Sequence, residues 1–169
     1  MPIDADRRRL VVPAAEWDAI GAELLRERIV QAFPAELLGT AGELTEDARE
    51  TEAMAIRTMA SGRDWRGIPA TELRYNRFMA NWVSDAGFAA LLPAYLFGSL
   101  AASESDLRAA TVRDLTPYDD RTLDRLRRRK SRLDFARRTV VADWLAFVFS
   151  QEEHGMDALD FWSRDAQGS

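Results

Sequence analysis

Residues 86–103 contain no charged side chain, and Pro93 lies near their centre in the run Leu91-Leu92-Pro93-Ala94-Tyr95-Leu96. Proline inside a helix removes one backbone hydrogen bond and crowds the preceding turn, at a cost of about 3 kcal/mol. A chain that keeps a proline there is expected to build its core around it, as a Pro-kinked apolar helix over about 85–102. The stretch is long enough to test as a membrane span. However, Gly87, Gly98, Ser99 and several alanines dilute its apolarity, and Asp85, Glu104 and Asp106 flank it. A buried core helix is therefore expected, with no membrane contact.

A length of 169 residues favours one domain, large enough to bury a core without staples. The chain has no cysteine, which excludes disulfides, thiolate metal sites and a cysteine nucleophile. That fits a reducing compartment. No apolar stretch follows Arg7, Arg8 and Arg9, so no signal peptide is expected and the expected location is cytoplasmic. Residues 1–12 and 164–169 are expected to be flexible, with Gly168-Ser169 reading as a non-native tail.

Hydrophobic periodicity places the remaining elements. Pro13 suits a first helical position; Trp17, Ile20, Leu24, Leu25, Ile29 and Phe33 form an apolar stripe that Pro34 ends. Thr45 is the expected N-cap of a helix over 46–60 that turns Met54, Ala55, Ile56 and Met59 inward. Tyr75, Phe78, Met79, Trp82 and Val83 follow helical spacing and predict a helix over about 70–83. Ser84 caps the Pro93 helix, and Ser105 can open a short helix. Thr116-Pro117 opens another, and Ser131 with Asp134 resembles a capping box for the helix of Leu133, Ala136, Val140, Trp144, Phe147 and Val148. A last helix over about 155–163 carries Met156, Leu159, Phe161 and Trp162. The expected fold is all-α: one compact domain of six or seven helices around the central helix, packed against the stripes of 75–83 and 133–148.

Trp65 before Ile68-Pro69, Ser84-Asp85-Ala86-Gly87-Phe88, the Leu-Pro-Ala-Tyr-Leu run 92–96, Trp144-Leu145-Ala146-Phe147 and Phe161-Trp162 together resemble an uncharacterised bacterial family of unknown function. The resemblance covers about residues 65–162. Ala89 and Ala90 depart from the polar or aromatic residues expected there. The resemblance implies no catalytic residue and no cofactor. It associates the chain with bacterial conflict systems, at the level of analogy.

The polar residues divide by charge. The net charge is −5. Acids concentrate in 36–52 (Glu36, Glu43, Glu46, Asp47, Glu50, Glu52) and in 139–169, which includes Glu152, Glu153, Asp157 and Asp160. Nine arginines and lysines in 121–138 face only Asp124 and Asp134. A basic run at this density suits phosphate contacts, as in a nucleic-acid or phospholigand binder, through Arg125, Arg127, Arg128, Arg129, Lys130 and Arg132. Pairing within the molecule and an ordinary helix-dipole role compete with that reading.

His154 is the only histidine, so a closed zinc site is excluded. A metal-dependent hydrolase built on His154 and its neighbouring acids is the weakest of the readings, and no metal site is assigned. There is no Gly-x-Ser-x-Gly elbow, Walker A loop or dinucleotide glycine fingerprint, and enzyme chemistry is not expected. The leading expectation is a non-catalytic immunity protein or antitoxin that masks a basic toxin. Its binding residues would be Glu43, Glu46, Asp47, Glu50, Glu152, Glu153 and Asp157, with Trp65 as an exposed anchor.

Overall fold

The computed structural model describes residues 17–36, 38, 41–46, 50–77, 79–151 and 157–164. Asp47, Phe78, Glu152, Glu153, His154 and Met156 lie outside the described residues, as do Pro13 and the Gly168-Ser169 tail. The chain forms α1 (Ala19–Ala32), α2 (Ala41–Leu44), α3 (Thr51–Ala60), α4 (Ala70–Tyr75), α5 (Asp85–Gly98), α6 (Ser105–Asp114), α7 (Asp120–Ser131), α8 (Phe135–Gln151) and α9 (Asp157–Ser163). Short 3-10 turns stand at Trp65–Gly67 and Met79–Asn81. Seven of the described helices have seven residues or more, and the all-α class and helix number agree with expectation. Among the described residues the only β-type pairing is an isolated bridge between Thr45 and Val83.

The Pro93 helix, α5, is the centre. It packs against α1, α2, α4, α6, α7 and the 3-10 turn at Trp65. Residues Leu91 to Leu96 are all buried, Pro93 included. The helix continues through the proline, and its packed surroundings explain why no charge follows Asp85 in it. One apolar cluster extends from Ala22 in α1 through α5 to Trp162 in α9. Trp144 reaches α5 from α8 and donates its indole N–H to the Leu96 carbonyl at 3.0 Å. Trp162 donates to the Leu115 carbonyl at 3.0 Å. Each buried indole thus meets its one polar requirement with a backbone carbonyl.

Ser84 does two tasks at the start of α5. Its hydroxyl accepts from the Gly87 N–H at 2.9 Å, the expected N-cap. The same hydroxyl donates to the Glu43 carbonyl, and the Ser84 N–H donates to the Leu44 carbonyl at 3.0 Å. The last carbonyls of α2 are thereby held by the cap of α5. This approach requires Gly87, because a Cβ there would stand 2.0 Å from the Leu44 carbonyl oxygen.

Several boundaries differ from the expectation. Thr45 does not cap a helix over 46–60; it is buried, and its hydroxyl accepts from Arg57 Nε at 2.6 Å. The helix begins six residues later, at Thr51, and turns Ala53, Ile56, Met59 and Ala60 inward while Met54 is exposed. In α1 the inward residues are Ala22, Leu25 and Ile29, with Phe33 just past its end, while Ile20 and Leu24 are exposed. The helix expected over 70–83 stops at Tyr75. There the Asn76 carbonyl accepts from the Tyr95 hydroxyl at 2.6 Å and the Asn76 amide donates back to the Glu72 carbonyl. A side chain competing for nearby backbone groups is a helix stop.

The central helix ends at Gly98 instead of 102, because the buried Arg108 guanidinium takes the carbonyls of Ser99, Ala101 and Ala102. Asp119, not Thr116, caps α7, in a box with Thr122. Asp134, not Ser131, caps α8 by accepting from the Arg137 N–H at 2.9 Å.

The Gly87 contact yields a stability test. Gly87→Ala is expected to lower unfolding free energy by about 1–3 kcal/mol, the usual cost of overpacking. Gly67→Ala, where a Cβ meets open space, should stay within about 0.5 kcal/mol of the parent. Urea denaturation of the two variants checks the difference.

Candidate functional site

The acidic residues assigned to partner binding divide into two places. Glu43 ends α2, and Glu46 and Glu50 follow in the connection to α3; all three are exposed. The backbone from Glu43 to Thr45 is tied to the core by the Thr45–Val83 bridge and the two Ser84 bonds. Asp157 opens α9 and is exposed.

A cleft of about 400 Å³ opens where the first turn of α3 meets the end of α4, lined by Glu52, Thr71, Arg74, Tyr75, Asn76, Arg77 and Trp82. Tyr75 is 91% exposed and Met54 is exposed on α3. Trp82 is half-buried. The Arg74 charge is committed: it pairs with the buried Glu104 carboxylate through two bonds of 2.6 and 3.1 Å. Trp65, assigned as the exposed anchor, is 2% exposed. Its ring packs edge-on to Phe97 at 5.9 Å and its indole N–H donates to the Pro34 carbonyl. The exposed aromatic at this cleft is Tyr75 instead. It was missed because the expected helix over 70–83 placed Tyr75 on the inward stripe.

The basic segment also divides. Arg127, Arg128 and Arg132 are exposed and Arg125 is half-buried. Arg129 and Lys130, assigned to phosphate contact, are buried at 1% and 6% exposure. The Arg129 guanidinium donates to the Ala80 carbonyl at 3.0 Å, the Val83 carbonyl at 2.9 Å and the Asp85 carboxylate at 3.0 Å, and lies 4.6 Å from the Phe88 ring centre. It is a structural cation and unavailable to a ligand. The Lys130 ammonium donates to the Phe161 carbonyl and stands over the Phe161 ring at 4.6 Å. Exposed Arg128 joins Asp85 from the outside at 3.1 Å. Burial acts to raise the Asp85 carboxyl, but its bonds to Arg128 and Arg129 outweigh that and hold it below the usual carboxylate range.

On the other side of α7, around Lys130, a second cleft of about 360 Å³ is lined by Leu123, Arg127, Lys130, Ser131, Arg138, Phe161 and Arg164. Three of these, Arg138, Phe161 and Arg164, come from α8 and the end of α9. Their convergence with α7 depends on packing between helices far apart in sequence. A third cleft, of about 310 Å³, shares Leu123, Phe161 and Arg164 and carries Asp119, Asp157 and Asp160. Among the described residues no group of three or more acids or histidines is placed to hold a metal ion. No described helix is long and apolar enough to cross a membrane.

Between α6 and α7 lies a carboxylate that carries no obvious sequence signal. Asp114 accepts from the Ala80 N–H at 3.2 Å. Desolvation pushes its carboxyl up to about 7, against the Ala80 hydrogen bond and the charges of Arg129, Arg125 and Arg113. Tyr95, close enough to feel Asp114, is itself raised, first by burial.

Two outcomes follow for stability. Removing Arg129 leaves two buried carbonyls without their side-chain donor and Asp85 with Arg128 alone, so Arg129→Ala is expected to cost about 2–4 kcal/mol, while Arg132→Ala should change stability by about 0.5 kcal/mol or less. For Asp114, the folded state holds a proton that the unfolded carboxyl releases near 3.8. Its contribution is therefore greatest at low pH, declines as pH rises toward about 7 and is level above that. Asp114→Asn cannot ionise and keeps an acceptor for Ala80. Its melting temperature relative to the parent should rise between pH 4.5 and 7.5, by the equivalent of a few kcal/mol, on the order of 1.4 per pH unit. Thermal melts across that range check the sign; a constant difference contradicts it.

Residues 42–165 match the model of one protein family, described as a family of unknown function. The match contains the 65–162 span over which the sequence resembles such a family, and it includes every residue lining the clefts described above. No curated protein matches the chain, and no solved structure does.

Proposed function

The chain belongs to that family, DUF6714, and we propose that it is a non-catalytic bacterial binding protein, an immunity protein or antitoxin that neutralises a basic toxin by covering its active site. The observation that carries the reading is an exposed aromatic side chain at a cleft, with exposed acids nearby in the chain. Tyr75 stands at the 400 Å³ cleft beside Glu52, and the exposed Glu43, Glu46 and Glu50 lie on the connection leading into the same helix. Aromatic side chains beside a pocket are typical centres of binding energy. Glu43, on backbone already tied to the core, meets a cationic partner with little backbone ordering cost. The charge of these acids also accelerates encounter. The Arg74 pair with Glu104 removes one positive charge that would oppose a basic partner.

The partner is sought in the product of the adjacent gene. Co-expression followed by size-exclusion chromatography is expected to give a stable complex in which the partner's activity is suppressed. Glu46→Lys with Glu50→Lys should slow association by about tenfold or more and weaken its salt dependence. Tyr75→Ala should act mainly on dissociation, speeding it by about tenfold or more. A complex whose two rate constants are unmoved by these substitutions contradicts this face, and the lack of any complex contradicts the function.

A further inference from the structure

The cleft between α7 and α9 shares no lining residue with the one at Tyr75, and its chemistry is different. Arg127 and Lys130 reach it from α7, Arg138 from the first turn of α8 and Arg164 from the end of α9, while Leu123 and Phe161 supply apolar wall. Among the described residues no acidic side chain lines it. Lys130 is fixed as well as buried, since its ammonium donates to the Phe161 carbonyl and sits between the Phe161 and Trp162 rings at 4.6 and 5.7 Å. Arg127 pairs with Asp124 at 3.3 Å, but both are about two-thirds exposed, so an incoming anion displaces that pair at small cost.

We propose that this cleft is a binding site for a small soluble anion bearing two adjacent phosphoryl groups. Adjacent phosphoryl groups carry several negative charges at neutral pH, which suits a cleft lined by four cationic side chains. Cations from three helices approach from different directions, as enclosure of a compact anion requires, and planar guanidiniums bind phosphoryl oxygens in pairs. The volume is that of a small-molecule site.

Two further observations choose this ligand over a nucleic acid. Lys130 occupies a face of the Phe161 ring and Trp162 meets its edge at 5.6 Å, so the ring is poorly placed for base stacking. Asp119, Asp157 and Asp160 line the adjoining cleft beyond Arg164, and a continuing phosphate backbone leaving in that direction meets like charge.

Calorimetry on the full chain at low ionic strength tests the site with inorganic pyrophosphate, orthophosphate and a single-stranded oligonucleotide. Pyrophosphate is expected to bind saturably at one site and to raise the melting temperature. Orthophosphate should bind about tenfold more weakly or worse. Arg127→Gln and Arg164→Gln, both at exposed positions, should each weaken pyrophosphate about tenfold, the loss of one charge-assisted contact. Both should melt within a few degrees of the parent and leave the Tyr75 face unaffected. The proposal is overturned if pyrophosphate produces neither heat nor a melting shift. It is also overturned if both variants bind like the parent, or if the oligonucleotide binds more tightly than pyrophosphate over several nucleotides.

Discussion

One buried guanidinium joins the two halves of the architecture. Arg129 extends from α7 into the turn that precedes α5, where the Ala80 and Val83 carbonyls lie outside any regular helix. Such carbonyls carry a full desolvation penalty if buried without a donor. Arg129 supplies that donor, neutralises itself on Asp85 at the start of α5 and spreads its remaining face over Phe88. Burial works against its charged form, and the Asp85 bond opposes that loss. The irregular segment between α4 and α5 is tolerated because a helix more than forty residues later completes its hydrogen bonds.

The same device recurs. Arg108 collects three carbonyls after α5 and places its plane 4.2 Å from the centre of the Trp17 ring. Arg63 gathers the Met59 and Gly67 carbonyls and the Glu72 carboxylate around the connection from α3 to α4. Arginine suits this because its planar fork offers five donors in fixed directions. An all-α protein with short helices leaves many unsatisfied terminal carbonyls. Part of the arginine content is spent inside the molecule, where net charge says nothing about ligands.

This division explains what was legible in the sequence. The central apolar helix, its Ser84 cap and the all-α class were readable because local pattern and burial agree there. The stop at Tyr75 was not, since it depends on Tyr95 reaching Asn76 across nineteen positions. Trp65 looked exposed because it follows Gly62-Arg63-Asp64, yet a loop tryptophan with an apolar wall nearby is drawn inward. Arg129 and Lys130 looked like their neighbours Arg127 and Arg128, because helical rotation alone decides which cations face the core. Of the candidate sites, the acids at 43–50 were readable as charge density. The clefts were not, as each is closed by side chains that only packing brings together.

The bond from the Tyr95 hydroxyl to the Asn76 carbonyl runs from the middle of the core to the lining of the Tyr75 cleft. Tyr95 is two residues from Pro93, on a helix that cannot slide or rotate without disturbing most of its neighbours. The contour of the Tyr75 cleft is therefore inherited from the innermost packing. Substitutions in the interior that preserve folding are expected to remodel the outer lip of this cleft and, under the proposed function, to shift partner preference without touching the partner.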